Sequence, residues 1–129
     1  MITKVRLKNW KSHLDSEFDF AGGVNALVGI NGAGKSSVLD AISFGFFGTF
    51  PNHINRKVGL DDAIMSKPVQ KDEAEIIVEF FSGGKRYSVL RKIKKGKGTI
   101  QAEIREDGRL VEVNPESVTA HIERILQID

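Results

Sequence analysis

Along this chain the apolar positions follow period two at the start, a helical spacing after the first glycine cluster, period two again through the second half, and a helical stripe at the end. Val5 and Leu7 alternate with Lys4, Arg6 and Lys8, and Phe18 and Phe20 alternate with Glu17 and Asp19, which predicts two half-buried strands. Ala21-Gly22-Gly23 then turns the chain into Val24-Asn25-Ala26-Leu27-Val28, a nearly continuous apolar run of the kind a buried parallel strand shows. From Ser37 to Phe47 the spacing predicts a helix, with Val38, Leu39, Ala41, Ile42, Phe44, Phe46 and Phe47 apolar and Gly48 as its stop. Thr49 to Lys71, with Pro51, Gly59 and Pro68, is the least regular stretch, and Leu60 to Met65 is expected to form a short helix within it.

Beyond Lys71 the pattern reads as an antiparallel meander. Ile76, Val78 and Phe80 share one face, the turn Ser82-Gly83-Gly84-Lys85 leads to Tyr87, Val89 and Ile93, and after Gly96 and Gly98 come Ile100, Ala102 and Ile104. Asp107-Gly108 is a hairpin signal ahead of Leu110, Val111 and Val113. The last element carries a clear helix start: Asn114 as N-cap, Pro115 at the first helical position, and Val118, Ile122 and Ile125 along one stripe.

One segment carries chemistry. Gly29-Ile30-Asn31-Gly32-Ala33-Gly34-Lys35-Ser36-Ser37 has the P-loop spacing, glycine, four residues, then Gly-Lys-Ser. A chance match in a chain of this length is roughly a half-per-cent event. The context fits as well, because an apolar strand precedes the loop and an apolar helix follows it. Glycines at 29, 32 and 34 allow a tight turn whose backbone N–H groups, from 31 to 36, cradle phosphate, and the helix N-terminus adds partial positive charge. Lys35 reaches the β- and γ-phosphates and is the candidate catalytic residue, and Ser36 is the candidate Mg²⁺ ligand.

Composition sets wider bounds. The chain has 129 residues, 40% apolar and 28% charged, enough for one domain or a piece of one with a real core. Its net charge of +2 selects no partner, and with no cysteine it has neither disulfides nor thiolate metal sites. The first residues lack an apolar signal region, and the longest apolar stretch is too short to span a bilayer, so a cytoplasmic location and no membrane partner are expected. Hydrolysis needs more than phosphate grip. Ile125-Leu126-Gln127-Ile128-Asp129 imitates a Walker B strand, but it continues the helical stripe and Gln127 interrupts the apolar run. By spacing, Asp40 lies on the helix after the loop and points away from the metal, and no Asn-Lys-x-Asp guanine motif is present.

The run Lys8-Asn9-Trp10-Lys11-Ser12-His13, the strand with Phe18 and Phe20, Gly-x-Asn before the loop and Lys-Ser-Ser-Val-Leu-Asp-Ala-Ile after it together resemble the SMC-like ATPases. Within them the chain is most similar to the DNA double-strand-break repair family of Rad-fifty and SbcC, an archaeal member being the expected match. The Ser12-His13 pair favours that branch over true SMC proteins. The resemblance implies an α/β P-loop NTPase fold: residues 1–129 would be the N-terminal half of an ABC-type ATPase head, with a strand–P-loop–helix unit beside the meander. The C-terminal lobe would bring the signature motif, Walker B and the catalytic glutamate, and a coiled coil with a zinc hook would lie outside this segment.

By the same matching, Asn31, Gly32, Ala33, Gly34, Lys35, Ser36 and Ser37 would bind ATP, with Mg²⁺ on Ser36. Lys11 would touch the phosphates from a place usually held by arginine, and the loop from Ser66 to Val69 would lie near the nucleoside. Implied partners are the C-terminal lobe, a second head joined around two ATP molecules, an Mre-eleven-type nuclease and DNA, with a nucleoid-associated location. Two other classes stay open: a self-contained small P-loop kinase or NTPase, and a non-catalytic DNA-binding module.

Arg91-Lys92-Ile93-Lys94-Lys95-Gly96-Lys97 places five cations at an expected hairpin tip, either solvated or in contact with DNA phosphates. The resemblance supports DNA contact. His13 is read as a packing residue beside the P-loop or as a phosphate neighbour, and His53 and His121 as incidental. Trp10 and the Phe44, Phe46 and Phe47 cluster are expected in the core, and Tyr87 in a strand.

Overall fold

Strict two-residue alternation, carried through two adjacent ten-residue segments, builds the centre of the molecule: β3 (Glu73–Ser82) and β4 (Lys85–Lys94). The computed structural model describes residues 1–20, 32–50 and 59–127. The described strands form one six-stranded sheet, completed by β1 (Ile2–Trp10), β2 (His13–Asp19), β5 (Gly98–Glu106) and β6 (Arg109–Glu112), in the order β2-β1-β3-β4-β5-β6. Every pairing in it is antiparallel.

The hairpin turns follow their sequence signals. Gly83 and Gly84 sit at φ +59° and +80°, and Asp107 and Gly108 at +50° and +86°, the left-handed pair that a two-residue loop between twisted strands requires. The meander is therefore as expected. The N-terminal hairpin is part of the same sheet, because β1 pairs with β3 with Val5 opposite Val78 and Leu7 opposite Ile76. Phe20 is buried but lies just past the end of β2. The expected strand at residues 24–28 lies outside the described residues.

Val5, Leu7, Ala74, Ile76, Val78, Phe80, Tyr87, Val89, Ile93, Ala102 and Ile104 are buried on one face, and two helices cover it. The opposite face carries cross-strand ion pairs such as Lys4–Glu17, Arg6–Asp15 and Lys92–Glu73. At these exposures each pair is worth under about 1 kcal/mol, so the apolar layer holds the sheet to the helices.

Helix α1 (Gly32–Phe47) begins before the expected Ser37, inside the glycine motif, and stops at Gly48, whose φ is +74°. Two glycines in its first turn each cost about 1 kcal/mol of helix propensity. Burial of Val38, Ala41 and Phe44 downstream outweighs that cost. Phe46 is only partly buried and Phe47 is exposed, so the aromatic cluster is not wholly core. Gly45 faces the sheet at close range: a Cβ there would lie 2.8 Å from Val78 Cγ2 and 2.9 Å from Ile76 Cδ1.

The expected helix at Leu60 to Met65 is shorter, a 3-10 turn over Leu60–Ala63, after which Ile64 bridges to Trp10. Helix α2 (Pro115–Leu126) matches its sequence signature. Asn114 Oδ1 accepts from Ser117 N, Val118 and Ile122 are buried, and Gln127 ends the helix in a left-handed conformation. The segment from Ile125 is thus helical through Leu126 rather than a strand, and Ile128 and Asp129 lie outside the described residues.

The basic run needs correction. Arg91, Lys92 and Lys94 lie within β4, and only Lys95 and Lys97 lie in the turn itself. Arg91 falls on the buried face between Val89 and Ile93 and is 1% exposed. Its Nε donates to Gly45 O at 2.9 Å, and Nη2 donates to Phe46 O at 3.4 Å and Thr119 Oγ1 at 2.8 Å. It ties the carboxyl end of α1 to α2, and α1 has no basic residue of its own in its last turn.

Candidate functional site

The amino end of α1 is the focus. Its first turn holds Gly32, Ala33, Gly34 and Lys35, whose backbone N–H groups have no intrahelical acceptor, and no acidic residue stands there to occupy them. Lys35 and Ser36 are exposed, while Ser37 is buried. An exposed ammonium, an exposed hydroxyl and the first-turn amides of a helix fit a polyphosphate with a hard divalent cation. Asn31, like Gly29 and Ile30, lies outside the described residues.

The hairpin between β1 and β2 is fixed against this helix. Trp10 is fully buried, stacks on Phe44 with centroids 5.5 Å apart, and donates from Nε1 to Ser37 O at 3.0 Å. On either side of it Asn9 and Lys11 hold φ of +56° and +52°. Such conformations cost non-glycine residues roughly 1 kcal/mol each and persist where surrounding bonds enforce them. Those bonds are Lys11 N to Ala63 O at 2.6 Å and Met65 N to Asn9 O at 2.8 Å.

Lys11 is thereby brought to α1, with its Nζ 2.5 Å from Asp40 Oδ2, 5.2 Å from the Phe50 ring centroid and 6.0 Å from that of Trp10. Asp40, expected to point away from the metal, instead lies one turn beyond Ser36 on the same helix face, with its carboxylate directed at Lys11. Sequence reading missed this pair, and only the docking of the hairpin on the helix reveals it. Arg91, which the basic run puts at a hairpin tip, instead shares the buried period-two face of Tyr87, Val89 and Ile93.

The loop at Ser66 to Val69 is exposed and follows the Met65 anchor beside Asn9. His13 packs edge-on to Phe18 with centroids 5.8 Å apart, and its Nδ1 lies 3.0 Å from Ser16 Oγ, a packing role. His121 Nδ1 lies 3.2 Å from Arg124 Nη2, and His53 lies outside the described residues. Among the described residues no group of three or more His, Asp or Glu side chains is placed to hold a metal. No described helix is long and apolar enough to cross a membrane.

A family model described as AAA domain matches residues 4–129. The DNA double-strand break repair Rad50 ATPase of Sulfolobus acidocaldarius is 31% identical over 132 aligned residues, taking in 100% of this chain and 14% of that protein. The protein of the same description from Thermoplasma acidophilum is 41% identical over 95 residues, 74% of this chain and 10% of its own length. This chain therefore spans about a seventh or less of these curated relatives. Among solved structures, the SMC head domain from Thermotoga maritima is similar with a TM-score of 0.57 and 21% identity, covering 93% of this chain and 41% of that one. The chain belongs to the AAA domain family, and within it has the fold of the N-terminal lobe of a Rad50- and SMC-like ATPase head.

Proposed function

We propose that residues 1–129 form the nucleotide-gripping lobe of an ATPase that acts in DNA double-strand break repair. The observation that carries this reading is the start of α1 at Gly32, with an acid-free first turn and with Lys35 and Ser36 both exposed. Backbone amides from 31 to 36 bind the phosphates of ATP, with Gly32, Ala33, Gly34 and Ser37 shaping the turn. Lys35 neutralises phosphate charge, Ser36 contributes its hydroxyl to Mg²⁺, and Lys11 adds a second cation. Mg²⁺, when bound, supplies further charge neutralisation to the triphosphate. The repair role rests on the relatives' descriptions.

The hydrolytic carboxylate comes from a C-terminal lobe, and two heads close around two ATP molecules. An Mre-eleven-type nuclease and DNA are the partners, zinc belongs to a hook outside this segment, and the location is cytoplasmic and nucleoid-associated. The test is Mg²⁺-ATP binding and turnover. The wild-type chain should bind and barely turn over, and a C-terminal lobe should restore turnover. Lys35→Ala should abolish binding with an unchanged fold. Unaltered affinity in that variant, or brisk turnover by the chain alone, would replace this reading with that of a self-contained NTPase.

A further inference from the structure

Resting on the nucleotide reading above, we propose that Asp40 is a positioning residue that holds the Lys11 ammonium in place for the phosphates at the start of α1. A lysine is a mobile cation on four rotatable bonds, and it lacks the planar fork that orients an arginine. Here that mobility is removed before any ligand arrives. The backbone of Lys11 is bonded to Ala63 O at 2.6 Å, and its ammonium sits 2.5 Å from Asp40 Oδ2. The Phe50 and Trp10 rings flank it at 5.2 and 6.0 Å.

Asp40 itself is well placed to act as an anchor. Its side chain is 8% exposed against 22% for that of Lys11, so the carboxylate is the fixed partner and the ammonium the reachable one. Helix side chains lean toward the amino terminus, which carries the Asp40 carboxylate from its own turn back toward the turn of Ser36 and Ser37. That is the end of α1 where the exposed Lys35 and Ser36 stand. The entropy of ordering Lys11 is thus spent on folding rather than on binding.

A double-mutant cycle tests this on the chain, with the Kd for Mg²⁺-ATP as readout and Tm as the check on folding. Asp40→Asn should loosen binding about tenfold, a 1.4 kcal/mol equivalent, at near-normal Tm. Lys11→Met should loosen it comparably, and the double variant should be no weaker than Lys11→Met, since without the ammonium there is nothing to position. Asp40→Glu, which keeps the charge, should recover part of the loss.

Three results overturn the proposal. Additive effects would make Asp40 a merely structural residue, because it would then matter equally without Lys11. Tighter binding in Asp40→Asn would make Asp40 a competitor of the phosphates for Lys11. Unchanged affinity in Asp40→Asn would leave it no role. Lys35→Ala separates the two levels of inference: if it leaves binding intact, or if the wild-type chain does not bind Mg²⁺-ATP, the nucleotide reading fails and takes this proposal with it. If Lys35→Ala abolishes binding but the cycle is additive, only the assignment of Asp40 fails.

Discussion

Arg91 is the residue on which the packing of both helices converges. Burial pushes its guanidinium down to about 10, which still leaves it cationic near neutral pH. Its hydrogen bonds to the α1 carbonyls and to Thr119 offset the desolvation. Arg91→Met fills much of the same space but leaves buried acceptors unpaired, so we expect a loss of about 2–3 kcal/mol in urea unfolding. Arg91→Lys should recover little of it, because one ammonium cannot reproduce the fork. An unchanged unfolding midpoint in Arg91→Met would show that the bonds are energetically idle.

His13 gives a second test at this scale. Its Nε2 is buried with no hydrogen-bond partner among the described residues, and burial holds the imidazole below its usual 6.5. Between the lowered and the ordinary value the unfolded chain takes up a proton that the folded chain does not, so this residue's contribution to stability falls on acidification. His13→Gln should flatten the decline in unfolding midpoint between about pH 7 and about pH 5 relative to the wild-type chain. Parallel declines in the two proteins would remove His13 as a cause.

At the scale of elements, α1 depends on close approach and α2 on its cap. Gly45→Ala would gain helix propensity but force Val78 and Ile76 aside at contacts under 3 Å. Overpacking of that kind outweighs the propensity gain, and a net loss of about 1–2 kcal/mol is expected from chemical denaturation. Asn114→Ala removes the acceptor for Ser117 N and should cost about 1 kcal/mol. The cap was readable from the Asn-Pro pair and the stripe behind it. The Gly45 contact was not, since glycine in a helix leaves no pattern that names the strand it touches.

Across the whole molecule, the β4–β5 hairpin is joined to the site by short links. Gly96 N donates to Asp61 Oδ1 at 3.0 Å, and the 3-10 turn that holds Asp61 also supplies the Ala63 carbonyl that binds Lys11 N. Of the five cations in the run from 91 to 97, Lys94, Lys95 and Lys97 are the available ones; Arg91 is buried and Lys92 faces Glu73 at 3.7 Å. If this hairpin meets DNA, replacing those three lysines with glutamine should lower the slope of log K against log salt by up to about 3. An unchanged slope would exclude these three lysines from any contact with DNA phosphates.

By itself the sequence determined the P-loop spacing, the meander with its glycine turns, the capped terminal helix and the family. These are local matters, since motif spacing, turn chemistry and residue period act over a few neighbours in the chain. Tertiary structure decided where those pieces meet. It put the N-terminal hairpin into the same sheet as the meander, took Arg91 out of a basic run and into the core, and set Asp40 against Lys11. Each of these joins groups 24 or more positions apart, as Arg91 Nη1 and Pro115 O are, and no local pattern encodes a contact of that separation. Burial of one shared apolar face is the physical reason they meet, and it is a property of the assembled sheet and helices.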